Sequence, residues 1–225
     1  MSIQKSEIKL DVNGQPVNAY LAAPKDGGPA VLVLHAWWGL KPFFKELCDR
    51  LAEEGFTALA PDLRNGQIAE TIEAAKALME KSDNQFVGEI VMAAKDHLLT
   101  FSKTGEIGVI GFSMGAAWAM EVAAEDPDKV AATVLFYGTV GADFNKVKSK
   151  IQGHFGERDE WEPIGDVRGM EQNMRDAGLD VTLHFYPEVG HWFVESDRPE
   201  YNSAAASLAW ERTFEFLRAS LRGAA

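Results

Sequence analysis

The chain has 225 residues, 46% hydrophobic and 25% charged, with a formal net charge of −12 and one cysteine. That length suits one large α/β domain with a full core, and the composition is ordinary for a soluble globular enzyme. The negative charge argues against nucleic acid or anionic membranes as partners, and the lone Cys48 excludes an internal disulfide framework.

The first residues show no apolar signal-peptide core, and no stretch approaches a membrane span, so a cytoplasmic monomer is the expectation. Ile8, Leu10 and Val12 alternate with polar residues, as do Val17, Ala19 and Leu21, and Asn13-Gly14 lies between the two runs. This pattern predicts an antiparallel hairpin. Residues 30–34 form an unbroken apolar run, typical of a strand buried on both faces. Pro42 opens a helix with Phe43, Phe44, Leu47 and Leu51 on one side, stopping near Gly55. Cys48 falls in that pattern and reads as a small core residue. The next buried strand covers 56–60. Residues 67–80 and 86–99 read as two amphipathic helices. Strands are predicted at 106–110, 130–137, 151–156 and 181–186, with helices at 113–124, 166–177 and about 203–221. Residues 138–148 form the most irregular loop. The alternation predicts a single α/β domain over 1–225: a mostly parallel central sheet with an N-terminal antiparallel hairpin and helices on both faces.

The segment Gly111-Phe112-Ser113-Met114-Gly115 reads G-x-S-x-G between an apolar strand and a small-residue helix. That context makes Ser113 a candidate nucleophile, exposed on a sharp strand-to-helix turn where side chains at Gly111 and Gly115 would collide with neighbouring backbone. A serine needs a base, and the base needs an orienting carboxylate. His191 follows the strand 181–186 and so lies at the same sheet edge as Ser113. His154 is a weaker candidate, and His184 alternates within a strand as a structural residue would. Asp159 is the chosen acid, three residues past the glycine that ends the strand 151–156, although Glu157, Glu160 and Glu162 lie in the same segment and sequence alone leaves the choice open. For the oxyanion, the backbone N–H of Met114 and that of Trp37 are the expected donors. Trp37, Trp38, Phe43, Tyr137, Trp161, Trp192 and Phe193 are candidates for an apolar wall near the serine; core packing is the competing reading, above all for Trp38 and Phe193.

His35-Ala36-Trp37-Trp38-Gly39, Pro61-Asp62-Leu63, the serine elbow, residues 154–159 and Gly190-His191 occur in that order at suitable spacing. With these motifs the chain resembles the dienelactone hydrolase family of α/β hydrolases over nearly its whole length. The resemblance implies Ser113, Asp159 and His191 as a triad, Trp37 and Met114 as oxyanion donors, and cofactor-free hydrolysis of a small carboxylic ester or lactone. The chain departs from the best-known members in two places. They carry cysteine where this chain has Ser113, and a glutamate where it has Ala36. The changes are mutually consistent, because a serine has no thiolate to manage. Those members also bind a substrate carboxylate with arginines. Arg64 is one possible counterpart and Arg198 a more distant one, with surface ion pairing as the alternative for each.

A thioesterase or peptidase could use the same residues, and a non-catalytic binding protein could use the same scaffold. No H-E-x-x-H or paired Cys/His spacing supports a metal-dependent hydrolase.

Overall fold

Burial along the strands explains the architecture. In a computed structural model describing residues 2–221, the strands β3 (Ala30–Leu34), β4 (Thr57–Pro61) and β5 (Ile107–Phe112) are buried at every position. Such strands are covered on both faces, and their near-continuous apolar sequence follows from that. By contrast, β1 (Ile3–Val12) and β2 (Gln15–Pro24) carry many exposed positions, as hairpin strands at a sheet margin do. The other strands are β6 (Val130–Phe136), β7 (Lys150–Gly156) and β8 (Val181–Tyr186).

The chain divides into two compact units, Met1–Ile107 and Gly108–Ala225. The span 1–225 read from sequence as one domain includes residue 1 and residues 222–225, which lie outside the described residues. In the first unit the strand order is β1-β2-β4-β3, with β2 antiparallel to both neighbours and β3 parallel to β4. Asn13 and Gly14 both take positive φ, 51° and 81°, as a tight two-residue hairpin turn requires. Helix α1 (Pro42–Glu53) starts on Pro42 and buries Phe43, Phe44, Leu47, Cys48 and Leu51 against β2 and β4. Burial pushes the Cys48 thiol well up, so it is a core residue and not a nucleophile.

Helix α2 spans Ile72–Glu80 and not 67–80 as the amphipathic pattern predicts. Thr71 caps it by accepting the Ala74 N–H at 3.2 Å, and the segment before it serves the loop after β3. There the Ala69 N–H donates to the Trp38 carbonyl at 2.9 Å. Asp83 caps α3 (Asn84–Leu99) in the same way, and α3 packs on β1, β3 and β4.

In the second unit the order is β5-β6-β7-β8, with β6, β7 and β8 parallel. Helix α4 (Met114–Glu125) packs on β6, α5 (Ile164–Asp176) on β7 and β8, and α6 (Ser203–Ser220) on β6 and β7. Within the irregular loop after β6, Phe144–Lys146 make a short 3-10 turn with Phe144 buried. Among the described residues no helix is long and apolar enough to cross a membrane.

Candidate active site

The second unit brings Ser113, Asp159 and His191 together. Ser113 sits between β5 and α4 with φ 49° and ψ −114°, a conformation that costs a non-glycine residue roughly 1–3 kcal/mol. The turn is tight enough to demand glycine nearby. A Cβ on Gly111 would lie 2.2 Å from the Gly115 carbonyl oxygen, and one on Gly138 would lie 2.7 Å from that of Ser113. Gly138 was not evident as part of the elbow in sequence, because it follows β6 and reaches Ser113 only through the sheet. The Ser113 N–H donates to the Phe136 carbonyl at 2.9 Å, which fixes the elbow to the end of β6.

His191 lies in the turn after β8, and its Nε2 is 3.0 Å from the Ser113 Oγ. Its Nδ1 is 2.7 Å from Asp159 Oδ2. The other carboxylate oxygen, Oδ1, accepts the Trp161 and Glu162 N–H groups at 2.8 and 3.0 Å. Those two bonds orient the carboxylate, because Oδ1 must remain an acceptor while Oδ2 faces the imidazole. With Asp159 an acceptor at Oδ2, Nδ1 carries the proton and Nε2 presents a lone pair towards the serine hydroxyl. Asp159 and His191 are 7% and 5% exposed, so solvent screens their contact little.

The neighbouring acids separate clearly. Glu157 and Glu160 are exposed. Glu162 is half-buried and accepts a hydrogen bond from the Thr139 hydroxyl, and burial holds its carboxyl above the usual range. Neither weaker histidine joins the group. His154 is fully buried in β7, with Nδ1 2.8 Å from the Tyr186 hydroxyl and Nε2 3.0 Å from Thr213 Oγ1. Burial depresses its proton affinity well below the ordinary value, so it is a neutral core group. His184, in β8, is 3.3 Å from the Gln152 side chain.

Aromatic rings line the imidazole. Tyr137 and Trp192 lie 4.8 and 4.7 Å from it between ring centroids, and Trp161 lies 6.4 Å away. Trp161 is 44% exposed, whereas Tyr137, Trp192 and Phe193 are buried. Met114, the residue after Ser113, opens α4. Arg198 sits over the Trp192 ring at 5.0 Å and pairs with Glu200 at 3.4 Å.

The remaining candidates belong to the first unit. Trp37 and Trp38 meet edge-on at 5.3 Å, with Trp38 fully buried, and Phe43 is buried on α1. The Pro61-Asp62-Leu63 motif has a clear local task. Asp62 accepts the N–H groups of Arg64 and Gly66, and His35 Nε2 accepts the Leu63 N–H at 3.0 Å. The Asp62 bonds hold the turn after β4 together, and the His35 bond joins that turn to the loop after β3. Arg64 is buried beside Met79 and lines a cavity of about 180 Å³ with Leu63, Lys81, Phe86 and Ile90. Burial lowers the proton affinity of its guanidinium.

One buried group escaped the sequence reading. Glu195 is fully buried and accepts the Tyr137 hydroxyl at 2.8 Å. Its signal was a carboxylate closing the apolar run Trp192-Phe193-Val194. Among the described residues no cluster of metal-ligating side chains occurs.

The dienelactone hydrolase family model matches residues 17–221. A similar curated protein is "Protein usf" of Aquifex pyrophilus, 34% identical, covering 94% of this chain and 96% of its own. The crystal structure of a dienelactone hydrolase-like promiscuous phosphotriesterase from metagenomic libraries superposes with a TM-score of 0.86 at 18% identity, covering 99% of this chain and 100% of that one. The structure of a dienelactone hydrolase from Anabaena variabilis ATCC 29413 gives 0.73 at 20% identity, covering 99% and 100%. The elbow, the strand order and these likenesses converge: the chain is a hydrolase with the α/β-hydrolase fold and belongs to the dienelactone hydrolase family.

Proposed function

We propose that this protein is a serine hydrolase that cleaves small carboxylic esters or lactones through an acyl-enzyme. The observation that supports the reading best is the continuous run from Ser113 Oγ through His191 to Asp159, at 3.0 and 2.7 Å. In the proposed reaction, His191 Nε2 takes the Ser113 proton as Oγ attacks the ester carbonyl. Asp159 holds Nδ1–H and stabilises the imidazolium that forms. The N–H groups of Met114 and Trp37 are the proposed donors to the oxyanion, a contribution commonly worth about 3–4 kcal/mol for one donor. His191 then protonates the leaving alkoxide, or the ring oxygen of a lactone. A water loses its proton to His191, attacks the acyl carbon and releases the acid, and Ser113 regains its proton. Every step closes without a cofactor. Trp161, exposed beside the imidazole, is proposed to contact the substrate, whereas Tyr137, Trp192 and Trp38 are buried as core side chains; Arg64 is the proposed partner of a carboxylate on the substrate.

Fluorophosphonate labelling tests the reading. The serine oxygen displaces fluoride from phosphorus only where a base activates it. Intact mass is expected to show one adduct on the wild type and none on Ser113→Ala. A folded wild type that takes no adduct refutes the reading. An ester and thioester panel, with and without a carboxylate, then identifies the substrate class and tests Arg64.

A further inference from the structure

We infer that Tyr137 and Glu195 form a positioning pair that holds the His191 imidazole in line with Ser113. The inference rests on the hydrolase reading above. His191 lies on a turn with little regular structure of its own, and Trp192 there takes a left-handed φ of 57°. Glu195 closes that turn. Its N–H donates to the Trp192 carbonyl at 2.9 Å, and its own carbonyl accepts the Arg198 N–H at 3.0 Å. Its carboxylate points inward, has no exposure to solvent, and takes the Tyr137 hydroxyl hydrogen at 2.8 Å.

Tyr137 is anchored independently. It follows β6, and its N–H donates to the His154 carbonyl at 2.9 Å. Its φ of 38° is unfavourable for a bulky residue. The ring is fully buried and lies 4.8 Å from the imidazole. Burial, reinforced by Glu195, keeps its phenol proton on far above neutral pH, so it is a permanent donor. The pair therefore joins the His191 turn to the strand end from which Gly138 supports the elbow.

Energetically, this contact is an expensive way to fill a core. Taking an acidic side chain out of water is costly, and a phenylalanine facing a leucine would pack the space without that cost. A buried polar pair set in strained backbone beside His191 is the kind of local exception that accompanies function. Neither residue meets the reacting atoms directly. Glu195 fixes the phenol, and the phenol ring confines the imidazole. A small displacement of a base can cost up to about 100-fold in rate, so a partial loss of this confinement is expected to cost about 10-fold.

The test compares Tyr137→Phe, Glu195→Ala and Glu195→Gln by steady-state hydrolysis of a chromogenic ester, fluorophosphonate labelling rate, melting temperature and the nitrogen-15 resonances of the His191 ring. Y137F and E195A are expected to lose about 10-fold in kcat and labelling rate with KM nearly unchanged, and to broaden the ring signals. E195Q is expected to restore most of the rate lost in E195A, because its amide oxygen still accepts the phenol hydrogen. Y137F keeps the ring volume and decides the matter if E195A does not fold. Wild-type rates and sharp ring signals in a folded Y137F overturn the inference, as does an E195Q variant as slow as E195A. If the wild type takes no adduct, the hydrolase reading fails, and the ring signals still report separately whether the pair holds His191.

Discussion

Replacing Asp159 by asparagine should invert the histidine tautomer. Asp159 Oδ1 accepts two backbone N–H groups, at 2.8 and 3.0 Å. An asparagine there must keep its oxygen on that side, which turns its NH₂ towards His191. A donor then faces Nδ1, where the wild type has an acceptor at 2.7 Å. His191 can satisfy it only by moving its proton to Nε2, and the lone pair that faced Ser113 at 3.0 Å is lost. The expected loss is about 10⁴-fold in kcat, near 5 kcal/mol of barrier. The fold should be spared, since the asparagine oxygen still accepts both N–H groups. Asp159→Ala removes both bonds, at about 1 kcal/mol each, and should lower the melting temperature by about 5 °C. The assay pairs ester hydrolysis and fluorophosphonate labelling with thermal melts of D159N and D159A. A D159N variant labelling within tenfold of wild type, or a D159N as unstable as D159A, refutes the argument.

Acid should destabilise the fold through its buried histidines. Burial lowers the His35 pKa to about 4, and its Nε2 already accepts the Leu63 N–H. His154 is depressed as well, again by burial. Both bind protons more readily when unfolded, so stability is complete above about pH 6.5 and falls as pH drops towards 4. His35 alone contributes about 3 kcal/mol to that change. Melts from pH 7.5 to 4.5 check this, and His154→Gln should flatten the profile; an unchanged slope in H154Q would contradict it. Gly111→Ala should destabilise by about 3 kcal/mol in urea unfolding and abolish labelling, because its Cβ would sit 2.2 Å from the Gly115 carbonyl oxygen. Near-normal stability there would mean that the elbow backbone is more compliant than its packing suggests.

What the sequence determined by itself is local. The hairpin turn at Asn13-Gly14, the proline start of α1 and the strand–serine–helix elbow each depend on residues a few positions apart, whose backbone preferences act before any tertiary contact forms. The apolar strand runs were legible for the same reason, whereas the order of serine, acid and histidine spans 78 residues and was read from the fold pattern that a serine elbow implies. Helix α2 shows where local reading stops: its amphipathic pattern extends to residue 67, but the segment before Thr71 is held by the Trp38 carbonyl and cannot join the helix. The choice among four nearby acids needed tertiary structure, because Asp159 meets His191 across 32 residues of chain. The pairing of Tyr137 with Glu195, 58 residues apart, was not readable in advance. A hydrogen bond of this kind depends on where parallel strands end relative to one another, and no periodicity in the chain encodes that distance.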